Sequence, residues 1–191
     1  MQTQVANKTY TPEEYLALEE QAEEKHEYQD GEIIEMAGAS TNHNRIAGNF
    51  YRKFPLEING QDYESYIGDV RLWMPEYRIY TYPDIMVVKG EPIYYEDSTS
   101  TILNPFLVVE VLSGSTKNYD KGDKFFYYRS IPYLKEYLLI AQDSFYIEQF
   151  SKKDEGKWLF TEHKVEDAVL RLESVEFEIS LKEIYKRVNF E

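Results

Sequence analysis

Phe106-Leu107-Val108-Val109-Glu110-Val111-Leu112 sets one carboxylate inside an otherwise apolar run. A run of that length, rich in β-branched residues and free of Gly and Pro, reads as a strand covered on both faces. That reading decides the fold, because such a strand needs a layer above it and another below. Downstream, about 119–129 reads as a helix and Glu136 to Ala141 as a second apolar strand. Strand, helix and strand of these lengths predict a βαβ-like unit with a right-handed crossover. Upstream, Asp84-Ile85-Met86-Val87-Val88 follows Pro83 as another strand opened by an acid.

Further out the local signals are distinct. Thr11-Pro12-Glu13-Glu14 is a capping box with Pro at the first helical position, predicting a helix from about Pro12 to Glu24. Asp30-Gly31 between Glu27-Tyr28-Gln29 and Glu32-Ile33-Ile34 predicts a hairpin with a type I′ turn. A second helix should begin near Ser40 or Thr41, with Ile46, Ala47, Phe50 and Phe54 on one stripe. Ser65 to Met74 and Tyr77 to Tyr82 read as strands, and Gly90 to Asn104 as loop. Phe145 to Phe150 and Trp158 to Thr161 flank Asp154-Glu155-Gly156 as a hairpin, and Ser180-Leu181-Lys182-Glu183 caps a short last helix. With no repeat, linker or low-complexity tract, the expectation is one α/β domain over 1–191. Its core covers about 10–141, and a β-rich extension of hairpin and short helix covers about 142–191.

The 191 residues are 42% hydrophobic, enough for a real core, and carry 21 Lys+Arg against 35 Asp+Glu, a net −14. A protein that coats phosphate backbones passively would need clustered cations instead. Cysteine is absent, which excludes disulfides, thiolate nucleophiles, thiolate zinc sites and iron–sulfur clusters. No apolar run approaches the roughly 20 residues of a spanning helix, and the N-terminus lacks a secretory core. The expectation is a cytoplasmic protein with no membrane partner.

Glu110 is the most informative residue. An unpaired buried carboxylate costs several kcal/mol, which a cation partner, protonation or a bound metal would offset; the plainer alternative is a strand end open to solvent. Asp84 has a turn-ending alternative of its own. Together, two acids on adjacent strands form a pair suited to oxygen-seeking Mg²⁺ or Mn²⁺. Lys117, Lys121, Lys124 and Tyr128 fall at helical spacing, presenting amines on one face, where a solvated face with an Asp120–Lys124 pair is the bland reading. His43 shares the apolar stripe of its helix and reads as a hydrogen-bonded core histidine or a ligand. Asp69 lies within a strand pattern and Glu27 just after the first helix. Both are candidate cleft neighbours, with surface salt bridges as the alternative.

The ordered set Tyr82-Pro83-Asp84, then Val109-Glu110-Val111-Leu112-Ser113, then a helix, resembles the PD-(D/E)XK restriction-endonuclease-like superfamily. More narrowly the chain resembles the Uma-two family of bacterial endonucleases. The landmarks are Tyr10 to Tyr15, Glu27 to Glu32, Met36 to Ser40, His43 to Ile46, Asn104-Pro105, Glu110 to Thr116, Asp120 with Lys124, and Tyr133 to Tyr137. The resemblance implies a mixed sheet flanked by helices, with Asp84 and Glu110 binding Mg²⁺ or Mn²⁺ and Glu27 as auxiliary acid. The superfamily lysine two residues after the second acid is here Leu112, so the resemblance implies an amine from the following helix. Lys124 is best placed for that role, with Asp120 and Lys121 nearby.

The expected function is metal-dependent endonucleolytic hydrolysis of DNA, with weak, metal-dependent, salt-sensitive DNA binding confined to one cleft. The alternative is a module that keeps the fold and binds nucleic acid or protein without hydrolysis; a third reading is hydrolysis of a smaller phosphoester. Aromatics make up 16% of the chain, with 18 Tyr. Tyr77 to Tyr82 and Tyr94-Tyr95 are candidates for base stacking or for a homodimer interface.

Overall fold

The run around Glu110 is a strand whose eight residues, Pro105–Leu112, are all buried. The computed structural model describes residues 8–112, 124–154 and 156–190. In chain order the N-terminal elements are α1 (Pro12–Glu19), β1 (His26–Gln29), β2 (Glu32–Glu35), α2 (Thr41–Lys53), β3 (Glu57–Ile58) and β4 (Gln61–Ile67). Next come β5 (Arg71–Met74), β6 (Ile79–Thr81), β7 (Ile85–Lys89), β8 (Thr101–Ile102), β9 (Pro105–Leu112) and α3 (Phe125–Tyr128). The chain ends with β10 (Glu136–Ala141), β11 (Ile147–Lys152), β12 (Trp158–His163), β13 (Val169–Arg171), β14 (Glu178–Ser180) and α4 (Leu181–Ile184).

The main sheet has seven strands in the order β12-β11-β10-β9-β7-β4-β3, and a second has five in the order β2-β1-β6-β5-β8. β9 and β10 are parallel, as the strand–helix–strand pattern requires, whereas β7 runs antiparallel to β9. Side-chain alternation along β9 divides the interior. Leu107, Val109 and Val111 face one core with Ile46 and Phe50 of α2 and Leu181 and Ile184 of α4. Val108 and Leu112 face the other, with Leu72, Met74 and Ile79 of the five-stranded sheet and Tyr128 of α3. Glu110 has the parity of that second face and therefore lies between the two layers. The outer face of the smaller sheet carries an aromatic core of Tyr15, Tyr28, Trp73 and Tyr80, in which the cross-strand pair Trp73 and Tyr80 stack at 4.0 Å.

Several sequence expectations change. The capping box at Thr11 forms, but α1 stops at Glu19, five residues short of Glu24. Glu19, Glu20, Glu23 and Glu24 place like charges four apart at the negative end of the helix, and no base offsets them. Ser65 to Met74 is not one strand. At Gly68, with φ +70°, the chain leaves β4 in the main sheet and enters β5 in the second. Within the segment read as loop, Thr101–Ile102 adds a short parallel strand beside β5. The Asp30-Gly31 turn has both φ values positive, at +41° and +109°, as a type I′ turn needs. The C-terminal hairpin β11–β12 extends the main sheet directly from β10, and β13–β14 is a further small hairpin that sequence patterning missed. Of the helix expected at about 119–129, only the part from Lys124 lies within the described residues. No described helix is long and apolar enough to cross a membrane.

Candidate active site

The β7–β9 register pairs Ile85 with Val109. One step further along, Asp84 comes opposite Glu110, where β7 begins. The Asp84 N–H points at Glu110 Oε2 at 3.4 Å, and the Val111 N–H donates to Asp84 Oδ2 at 2.7 Å. His43, in the first turn of α2, contributes Nε2 at 3.0 Å from the same Oδ2. The sequence reading of His43 as hydrogen-bonded and its reading as a site residue thus converge on one contact. Oδ2 carries these contacts, and Asp84 Oδ1 makes no hydrogen bond among the described residues.

Glu110 is buried, which removes the solvent-exposed alternative. Its Oε1 accepts from Lys124 Nζ at 3.2 Å and from the Tyr128 hydroxyl at 2.6 Å. Lys124 also lies 3.3 Å from Glu27 Oε1, so one buried ammonium joins two buried carboxylates. Glu27 does not directly follow the first helix, which ends at Glu19; it belongs to the hairpin the sequence predicts. It sits on β1, next to β6, and accepts a hydrogen bond from the Thr81 hydroxyl. The site therefore draws on both sheets and on α3, with His43 arriving from α2.

Burial, and after it the Glu110 carboxylate, pushes the Tyr128 phenol well above its ordinary range. It stays protonated and serves as a fixed donor. Glu27 and Glu110 share the Lys124 ammonium, and Asp84 adds a third carboxylate on the strand beside Glu110, held by His43 and the Val111 N–H. Among the described residues no three His, Asp or Glu converge as a preformed cage. The donors nonetheless fit a hard divalent cation: carboxylate oxygens from two neighbouring strands, one of them uncommitted, and no soft ligand.

Of the remaining sequence candidates, Asp69 is among the described residues and falls outside this cluster. Asp69 lies in the exposed turn between β4 and β5, not within a strand, and its carboxylate pairs with Lys25. Lys117, Asp120 and Lys121 lie outside the described residues. Two partners, Tyr128 and Thr81, have no role in the sequence reading, although Tyr128 falls on the Lys124 face there. The spacing of four between Lys124 and Tyr128 was the available signal for the hydroxyl, whereas Thr81 had none, because its contact to Glu27 spans 54 residues.

Comparisons with known proteins bear on the family and the fold. The family model Uma2, described as "Putative restriction endonuclease", matches residues 12–182. The chain is 46% identical over 168 residues to the uncharacterized Synechocystis protein sll1609, covering 88% of this chain and 95% of that one. It is 38% identical to a second Synechocystis protein, slr1290, over 94% and 93% of the two chains. The fold matches the crystal structure of a putative nuclease belonging to DUF820 from Anabaena variabilis, with a TM-score of 0.75 at 19% identity, over 94% of this chain and 99% of that one. The likeness identifies a restriction-endonuclease-like fold.

Proposed function

The chain belongs to the Uma2 family, and from that premise we propose that it is a Mg²⁺- or Mn²⁺-dependent endonuclease hydrolysing DNA phosphodiester bonds. The observation that carries the reading is the cross-strand apposition of Asp84 and Glu110, with Lys124 joining Glu110 to Glu27. A divalent cation bound by Asp84 and Glu110 would supply positive charge at the scissile phosphate and lower the pKa of a bound water.

The chain's own groups do the rest. The Val111 N–H and His43 hold Asp84 in one orientation, and Tyr128 does the same for Glu110. Lys124 provides donors beside the carboxylate pair, where negative charge grows as the phosphate is attacked. It takes the place of a strand lysine, since Leu112 on the same face of β9 is buried in the core.

The test is direct. Purified protein with Mn²⁺ nicks plasmid or degrades single strands, and Asp84→Ala or Glu110→Ala abolishes this. Activity that survives both substitutions sinks the assignment. Calorimetry showing no Mn²⁺ binding at millimolar concentration favours the non-hydrolytic module instead.

A further inference from the structure

The Tyr-rich stretch Tyr77 to Tyr82 is divided by the fold. Tyr80 and Tyr82 are buried, whereas Tyr77, in the turn between β5 and β6, is half-buried against the second core beside Tyr127 of α3, with the exposed Phe126 next to both. Its ring lies 5.3 Å from Phe126 and 5.0 Å from Tyr127, and the latter two are 5.7 Å apart. Phe126 remains 48% exposed within this cluster. The Arg129 guanidinium lies 5.3 Å from the Phe126 ring and 5.2 Å from that of Phe125. A single exposed ring needs no explanation. Three rings in mutual contact, with a cation over one of them, make a built surface.

Its position gives the ligand. The same turn of helix that presents Phe126 outward sends Tyr128 inward to Glu110, and Lys124 immediately precedes it. Tyr127 accepts a hydrogen bond from Gln29 Nε2 at 3.0 Å, and Gln29 is two residues along β1 from Glu27. The ring cluster is therefore joined through Gln29 to β1, the strand that carries Glu27, with Phe126 on the outer side of α3. At −14 the chain has little general attraction for phosphates, so affinity for a polyanion must come from contacts that charge does not govern. Aromatic faces beside an Arg are such contacts. They take any unpaired base, whereas in a duplex the base faces are already stacked.

We propose that Tyr77, Phe126 and Tyr127, with Arg129, form a stacking platform for unpaired nucleobases, which makes single-stranded DNA the substrate class. The proposal rests on the nuclease reading but is tested separately from it. Fluorescence anisotropy with a labelled oligo-dT of about 12 nucleotides, in EDTA, measures binding without cleavage. Wild-type protein binds this strand more tightly than the matching duplex, with a shallow salt dependence. Phe126→Ala and Tyr77→Ala each weaken binding about 5- to 100-fold, and Phe126→Trp retains it. Circular dichroism confirms that the variants are folded. Equal affinity for duplex, unchanged binding in both alanine variants, or no single-strand binding by wild type overturns the platform. So does gel filtration in which the alanine variants change from dimer to monomer with binding intact, which would make the patch a protein interface. Plasmid cleavage with Mn²⁺ but no binding in EDTA overturns the platform alone. Phe126-dependent binding with no cleavage supports it and counts against the nuclease reading.

Discussion

Lys124 Nζ lies 3.2 Å from Glu110 Oε1, although fourteen residues of chain separate them and the amine arrives from a helix rather than from β9. The same nitrogen is 3.3 Å from Glu27 Oε1. Removing one member of a buried ionic cluster is far costlier than never having built it, because the remaining charges lose their compensation. Lys124→Met should therefore abolish cleavage and destabilise the protein by about 3–5 kcal/mol, seen as a fall of roughly 6–20 °C in Tm. The double variant Lys124→Met/Glu27→Gln should recover part of that loss. Additive losses in the cycle would mean that the two side chains do not interact as placed.

Tyr128→Phe keeps the ring and deletes one donor to Glu110. The expected cost is about 1.5–3 kcal/mol, the range for hydrogen bonds to charged groups, with activity lowered rather than abolished. The buried phenols also set an alkaline limit. Desolvation raises Tyr15 and Tyr128, and burial pushes Tyr82 up to about 12. In the unfolded chain these groups titrate near 10. Their stabilising contribution is complete below about pH 10 and is lost as pH rises through the folded values. Tyrosinate absorbance from these groups should thus appear together with loss of circular dichroism. Full ionisation of the tyrosines while the fold persists would contradict their burial.

The fold was legible where chemistry is local. Continuous apolar runs gave β9 and β10, Asp30-Gly31 gave the first hairpin, and Thr11 and Ser180 gave two helix starts. Periodicity does not say which sheet a strand joins, so the division of Ser65 to Met74 at Gly68 was invisible. Strands of two or three residues, such as β8 and β13, are too short to show a period. In the candidate site, Glu110 could be singled out because a carboxylate in an apolar run conflicts with its surroundings. Glu27 has no such conflict in its own neighbourhood. Its position depends on Lys124, 97 residues away, and only the folded chain brings them together.

Glu136 opens β10 fully buried, with no cation paired to it among the described residues. The N–H groups of Glu173 and Ser174 donate to Oε1 at 2.7 and 2.9 Å, and Ser151 Oγ to Oε2 at 2.7 Å, fastening the 173–174 turn to the sheet. Desolvation raises its pKa above the ordinary 4.5. The contribution is present at low pH and lost as pH rises through the folded value. Glu136→Gln keeps the acceptor for both N–H groups, and the Ser151 hydroxyl can reverse to accept. Its Tm relative to wild type should rise as pH climbs above the ordinary carboxylate range. Glu136→Ala orphans two donors and should cost about 2–5 kcal/mol. A pH-independent difference for the Gln variant would show that Glu136 does not titrate above that range.

Asp84→Asn separates stability from metal affinity. The amide oxygen can still accept from the Val111 N–H and His43, so the local structure is retained. One negative charge is removed from the strand position beside the buried Glu110 carboxylate, and in EDTA the variant should be more stable by about 1 kcal/mol, the usual scale when a functional site is relieved of strain. That is a rise of roughly 2–4 °C in Tm. Mn²⁺ should reverse the order. Wild-type protein gains about 2.7 kcal/mol at a hundred times the dissociation constant, whereas the variant has lost the oxygen charge that binds the ion. The two Tm curves should therefore cross as Mn²⁺ is added. Parallel curves would exclude Asp84 as a ligand, whatever the effect of the substitution on cleavage.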